Sequence, residues 1–192
     1  MFFEINVYQN ISVRQTMVIF LVGGILSLIV TMTFYLILPI RTEVSIESAL
    51  IVGIVEELAK CVVIILFINT YKANYIFNGV LIGAAIGAGF SVFESSGYVS
   101  EYGLATIFTR SFQAIGTHAI WAAIIGGAVI LGKTRKKQFT VRDFFTKPKF
   151  FIFFLVVICL HTFWDWDIPN TGIGVSLLQE LIDIAIGWFL IN

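Results

Sequence analysis

Hydrophobic positions along the chain fall into six long blocks, at 17–38, 46–68, 75–98, 104–131, 150–166 and 173–191. Short polar connections part them, at 39–45, 69–74, 99–103, 132–149 and 167–172, the last with Pro169. About 20 apolar residues cross the hydrocarbon core of a bilayer as one helix. The pattern therefore predicts an all-α, polytopic membrane helix bundle of about six transmembrane helices, with 1–192 forming a single integral membrane domain. Short connections make neighbouring helices run antiparallel.

The blocks are not alike. The first contains Gly23-Gly24 and no charge, and reads as a lipid-facing anchor. The third carries Gly79, Gly83 and Gly87 at four-residue spacing with Ala84, Ala88 and Ser91 nearby, a stripe of small residues that lets another backbone approach closely. The second is interrupted in its middle: 51–67 reads IVGIVEELAKCVVIILF, with Glu56, Glu57 and Lys60 set into an otherwise apolar run. Ionisable groups at that depth cost at least about 2.5 kcal/mol each, so a use for them is the first expectation. On a helix Glu56 and Lys60 are four apart and Glu57 and Lys60 three apart, so the ammonium can neutralise one carboxylate while the other stays available. An ion pair serving only to glue helices needs one carboxylate, and here there are two.

Composition agrees with a membrane setting. Of the 192 residues 58% are hydrophobic and 12% charged, against about 25% charged in soluble domains. The zero net charge hides an asymmetry, because seven of the twelve basic residues (Lys133, Arg135, Lys136, Lys137, Arg142, Lys147 and Lys149) fall in 132–149. If all six blocks span, Arg14 and Lys72 share that side, while Arg41, Glu43, Glu47, Glu101 and Asp167 lie on the other. The positive-inside rule then puts both termini in the cytoplasm of a multi-pass cell-membrane protein. The basic segment reads first as a solvated loop that sets topology; the other reading has Phe144-Phe145 lay it on the membrane surface beside anionic lipids. Cys61 and Cys159 lie inside apolar runs and read as small hydrophobes. The first fifteen residues, which include Glu4, lack the basic start and short apolar run of a signal peptide, so the first block is expected to persist. The bilayer is the expected surrounding partner and no nucleic-acid partner is expected.

Ionisable groups recur at similar depth in other blocks: Glu94 in the third, His118 in the fourth, and His161 with Asp165 in the fifth. A rise of about 1.5 Å per residue places Glu56 about 15 Å, His118 about 20 Å and His161 about 8 Å below the outer ends of their helices, with Glu94 and Asp165 nearer that surface. The set describes a funnel that opens outward. Carboxylates and imidazoles bind divalent metals or carry out acid and base chemistry, and facing helices of a bundle build such core sites. Asp165 lies one turn beyond His161, where it could accept the second N–H of the imidazole and fix its tautomer. Glu180 and Asp183 in the last block either line the same cavity or satisfy polar groups near it. Arg110 reads as an interfacial residue.

The motifs Glu56-Glu57-Leu58-Ala59-Lys60, Phe90-Ser91-Val92-Phe93-Glu94, His118 and His161-Thr162-Phe163-Trp164-Asp165 resemble EExxK, FxxxE, H and HxxxD of the PrsW family of intramembrane proteases. That family is related to the CAAX prenyl proteases and bacterial immunity proteins, whose EExxxR and FxxxH motifs differ from Lys60 and Glu94 here. The resemblance implies a membrane metalloprotease and, for the named member of the family, cleavage of a membrane-anchored anti-sigma factor at its extracytoplasmic side. The expectation is thus a membrane-embedded endopeptidase. One carboxylate of Glu56 and Glu57 activates a water, Lys60 neutralises the other, Asp165 orients His161, and Glu94, His118 and His161 hold a divalent metal, zinc first, or without a metal position that water and stabilise the oxyanion. Its substrate would be a single-pass membrane protein. Two other classes are compatible with the same residues: a proton- or ion-coupled transporter or channel, and a catalytically silent immunity-like scaffold of the same fold.

Overall fold

A computed structural model describes residues 11–38, 45–105, 107–108, 110, 117–134, 137–166 and 173–191. Glu4, Pro39, Arg41, Glu43, Arg135, Lys136, Asp167, Pro169, the side chain of Glu101 and most of the connections 39–45 and 167–172 lie outside the described residues. The described residues form helices and no strand: α1 (Val13–Ile37), α2 (Ile46–Thr70), α3 (Ile76–Tyr102), α4 (His118–Gly132), α5 (Val141–Thr146), α6 (Pro148–Asp165) and α7 (Ile173–Ile191). The chain is an all-α membrane bundle. Three helical stretches are both long and apolar enough to cross a membrane, Val13–Ile37, Ile76–Val99 and Pro148–Asp165. With 25 residues α2 has the length too, but carries the buried Glu56, Glu57 and Lys60.

Local chemistry sets where the helices start. Ser12 and Gln15 form a reciprocal capping box at α1, the Ser45 hydroxyl accepts from the Ser48 N–H at α2, and Pro148 opens α6 where no N–H is needed. Gly103, at φ 88°, ends α3 in a conformation only glycine adopts readily.

Three observations differ from the pattern-based expectation. The fourth block is not one helix over 104–131: the backbone leaves the helical region at Thr117 (φ −118°, ψ −103°), and α4 begins at His118. Residues 111–116 lie outside the described residues. The depth estimate for His118 assumed a continuous helix, whereas His118 stands at a helix start. The basic segment is not only loop, because Thr140 and Asp143 form a capping box that starts α5. Finally, α1 is not merely a lipid-facing anchor. Met17, Leu21, Ile25, Ile29 and Leu36 are exposed as lipid contact requires, but Ser27 and Thr31 are buried. A π-helical turn at Ile19–Gly23 interrupts α1, and Gly24 meets the backbone of Gly89 in α3.

The small-residue stripe does what its spacing implies. On α3, Gly79, Gly83 and Gly87 face the carbonyls of Gly126, Ala122 and His118 on α4, with backbone directly on backbone. At Gly83 a Cβ would lie 2.7 Å from the Ala122 carbonyl carbon and closer still to its oxygen. Gly83→Ala is therefore expected to cost about 1–3 kcal/mol and to lower the melting temperature of the purified protein by several degrees. Gly97→Ala, at a position with nothing within 4 Å of its Cβ, should leave it unchanged. Equal melting temperatures for the two variants would refute this packing.

Candidate active site

Glu56, Glu57 and Lys60 project from the middle of α2 into the bundle, and α6 comes close enough to meet them because Gly53 presents no side chain. A Cβ at Gly53 would lie 3.2 Å from Thr162 Oγ1 and 3.5 Å from His161 Cβ. The side chains of Lys60 and Glu57 are fully buried and that of Glu56 nearly so. The three donors of the Lys60 ammonium are all used, on Glu57 Oε1 (2.7 Å), His118 Nδ1 (2.9 Å) and Glu56 Oε2 (3.4 Å). The ammonium also sits 4.1 Å from the centre of the Phe90 ring. Lys60 thus partners both carboxylates, Glu57 more closely.

The imidazoles have defined orientations. An ammonium cannot accept a hydrogen bond, so His118 Nδ1 accepts from Lys60 and its proton sits on Nε2, 3.2 Å from Glu94 Oε2. His161 Nδ1 donates to Glu57 Oε1 at 2.7 Å, while Nε2 lies 3.2 Å from Asp165 Oδ2 and 3.8 Å from Glu56 Oε2. Asp165 is placed against His161 as its one-turn spacing suggests, but the shorter bond, from Glu57, fixes the ring on the other nitrogen. One oxygen of Glu57 therefore holds both the lysine and the histidine.

Glu56 is disposed differently. Its Oε1 accepts from the Tyr35 hydroxyl of α1 at 3.0 Å, and the residue lines a cavity of about 390 Å³ between α1, α2 and α3. Thr31, Tyr35, Phe90, Phe93, Glu94 and Tyr98 also line this cavity, and Glu57 does not. Glu94 is held by Arg110, Nη2 to Oε2 at 2.8 Å, and the Arg110 guanidinium stacks 3.8 Å from the Tyr98 ring. Arg110, read from the sequence as an interfacial residue, is thus a partner of Glu94.

Tyr35, Trp121 and Asp183 complete the surroundings, and the sequence reading gave none of them a definite place. The Trp121 indole stacks on the His161 ring with centroids 4.6 Å apart, meets His118 edge-on at 5.1 Å, and donates from Nε1 to Asp183 Oδ2 at 3.1 Å. Asp183 thus reaches the site through Trp121. A signal existed for Tyr35, since Ser27, Thr31 and Tyr35 recur every four residues and mark one polar face on an apolar helix.

All seven groups proposed from sequence converge, but not all on one point. The donor atoms of Glu56, His118 and His161 lie within 4.8 Å of one another, the set among the described residues that could hold a metal ion. Glu94 touches this set through His118, and Asp165 through His161. One carboxylate with two imidazoles is the donor chemistry of hydrolytic zinc sites, so the residues fit a divalent ion.

A family model described as PrsW family intramembrane metalloprotease matches residues 12–191. Over 123 residues the chain is 25% identical to Protease PrsW of Geobacillus kaustophilus (strain HTA426), a match covering 62% of this chain. The chain spans about half that relative's length, 51%. No solved structure matches the chain.

Proposed function

The chain belongs to the PrsW family, matched over residues 12–191, and from that premise we propose that it is a membrane-embedded endopeptidase that hydrolyses single-pass membrane proteins near their extracytoplasmic face. The observation that carries the reading is the cavity-facing carboxylate of Glu56 beside two buried imidazoles. An anti-sigma factor is the kind of substrate that the family resemblance brings forward.

Glu56, His118 and His161 would hold the divalent ion, zinc first, each imidazole giving up one of its present hydrogen bonds; when bound, the ion supplies a water of lowered pKa. The two oxygens of Glu56 divide the work. Oε2 faces His161 and Lys60 on the side of the imidazoles, and Oε1 faces the cavity beside the Tyr35 hydroxyl, where it takes the proton of the attacking water. Glu57 and Lys60 position: one holds the His161 ring, the other lies between the paired carboxylates and offsets their repulsion.

Asp165, 32% exposed at the rim, lies 3.2 Å from His161 Nε2, the bond this ring would give up to the ion, so that its carboxylate would stand beside the centre as a neighbouring charge. Asp165→Asn is expected to lower activity about 10- to 100-fold with the fold intact, the range for partners of this kind. Co-expression of wild type and Asp165→Asn with a panel of single-pass reporters, followed by gels for fragments and by proton flux in liposomes, tests both this value and the function. Fragments made by the wild type and reduced in the variant fit the protease. Flux that depends on Asp165, with no cleavage by either protein, would replace the protease with a proton-conducting protein.

The same reading makes this a multi-pass protein with both termini cytoplasmic, because the seven cations of 132–149 are its strongest orienting feature. Reporter fusions at Lys137 and Asn192 should both read cytoplasmic. An external reading at either would turn the cavity to the wrong side.

A further inference from the structure

On the opposite side of α2 from the reactive cluster lies a second cavity of about 400 Å³, lined by Leu58, Val62, Ile65, Phe139, Phe144 and Phe145 with Thr140 and Val141. Its wall on α2, from Leu58 to Ile65, is about 10 Å long at 1.5 Å per residue and runs from mid-helix toward the basic end. Val62 and Leu66 are half exposed there, so the groove opens to the lipid side of the bundle.

The floor of the groove is built before any ligand arrives. Asn69 at the end of α2 holds the backbone of Phe139 in both directions, Nδ2 to its carbonyl at 2.8 Å and its N–H to Oδ1 at 2.9 Å. Lys133 donates to the Ala73 carbonyl at 2.6 Å. On α5, Phe144 packs edge-on against Phe154, while Val141 and Phe145, four apart on one face, remain 79% and 75% exposed. Together with the groove, two such side chains on one face of a short helix offer an apolar ligand a continuous surface.

Charge says which ligand. Arg142 on α5 directly follows Val141 in the chain and is exposed, as are Lys137 and Lys149 in the same basic segment. Asp143, the one carboxylate in 132–149, caps α5: its Oδ2 accepts from the N–H and hydroxyl of Thr140, which hold its carboxyl below the ordinary range, and its Oδ1 lies 3.8 Å from Lys147 Nζ, so it offsets Lys147 and leaves Arg142 and Lys137 without an ion pair to it. The face is therefore apolar within the bilayer and cationic at its edge. We infer that this groove is a binding site for an anionic phospholipid, with an acyl chain along Leu58, Val62 and Ile65 and the phosphate beside Arg142 and Lys137. The covering of Val141 and Phe145 and the neutralising of the cations then come from one molecule, which a zwitterionic lipid or a soluble anion does not supply.

The inference stands apart from the protease reading, and its test needs no cleavage. The purified full-length protein is equilibrated in mixed micelles with equimolar phosphatidylglycerol and phosphatidylcholine, and retained lipid is counted by native mass spectrometry. The wild type should retain phosphatidylglycerol several-fold over phosphatidylcholine, and excess inorganic phosphate should not displace it. Arg142→Ala and Lys137→Ala should each lower that retention about fivefold, the size of one cation's attraction to an anionic surface, without altering phosphatidylcholine. Val62→Trp, which fills the groove, and the surface change Phe145→Ala should each lower retention of both lipids. Equal retention of the two lipids by the wild type, a preference indifferent to both cation substitutions, displacement by phosphate alone, or a second protein copy in place of lipid would each overturn the assignment.

Discussion

Glu56→Gln should lower cleavage of a single-pass reporter by about a hundredfold to ten-thousandfold, the range for removing a general base, while the protein accumulates and purifies as the wild type does. Two neighbouring carboxylates make this a selective prediction. Glu56 lines the cavity and bonds Tyr35, whereas Glu57 is fully buried and its Oε1 is taken up by Lys60 and His161. Glu57→Gln keeps the side-chain shape but weakens the hold on His161, so its effect on turnover is expected to be the smaller of the two and to come with lower thermal stability. Fragment yield in a co-expression assay, beside the melting temperatures of both purified variants, separates them. Full activity in Glu56→Gln would remove Glu56 from the reaction.

The largest loss of stability is expected from Lys60→Met. That change leaves Glu56 and Glu57 buried side by side with no cation, and takes the donor away from His118 Nδ1. Breaking a buried charge pair by removing one partner costs about 3–5 kcal/mol, because the charge left behind has neither water nor a counter-ion. At roughly 2–4 °C per kcal/mol for a chain of this size, the melting temperature should fall by about 10 °C. Removing all three charges together, in Glu56→Gln/Glu57→Gln/Lys60→Met, should recover part of that loss, since no uncompensated ion remains. Thermal unfolding of the purified proteins checks both results. A single Lys60→Met protein as stable as the wild type would mean that Lys60 does not compensate the two buried carboxylates.

Much of this was legible in the residue pattern, for physical reasons that can be named. Charges inside apolar runs stand out because a bilayer penalises them, so Glu56, Glu57, Lys60, Glu94, His118, His161 and Asp165 could be found one by one. Helical spacing also related Lys60 to both carboxylates and Asp165 to His161, and the structure shows those contacts. Spacing within a helix says nothing about partners on other helices. That Glu57 grips His161 across 104 residues, or that Lys60 reaches His118, depends on how α2, α4 and α6 approach one another. Tyr35 and Trp121 were hidden for another reason: each has an apolar body with one polar tip, and hydropathy counts the body. The break at Thr117 was missed because 104–131 reads as one apolar block, and α5 because six residues are too few for a periodicity to show. The stripe of Gly79, Gly83 and Gly87 was legible because backbone contact leaves little room for any other residue.

The proposed peptide-bond hydrolysis takes place at the centre formed by Glu56, His118 and His161. Its most direct test is to reconstitute purified wild type and a His118→Ala/His161→Ala variant in liposomes with a single-pass reporter, in water enriched in oxygen-18, and to read the fragments by mass spectrometry. The prediction is that the wild type produces a new carboxyl terminus carrying one oxygen-18 from solvent, and that the variant, folded and inserted, produces none. Labelled fragments formed equally by both proteins, or no fragment from the wild type with any reporter, would contradict it.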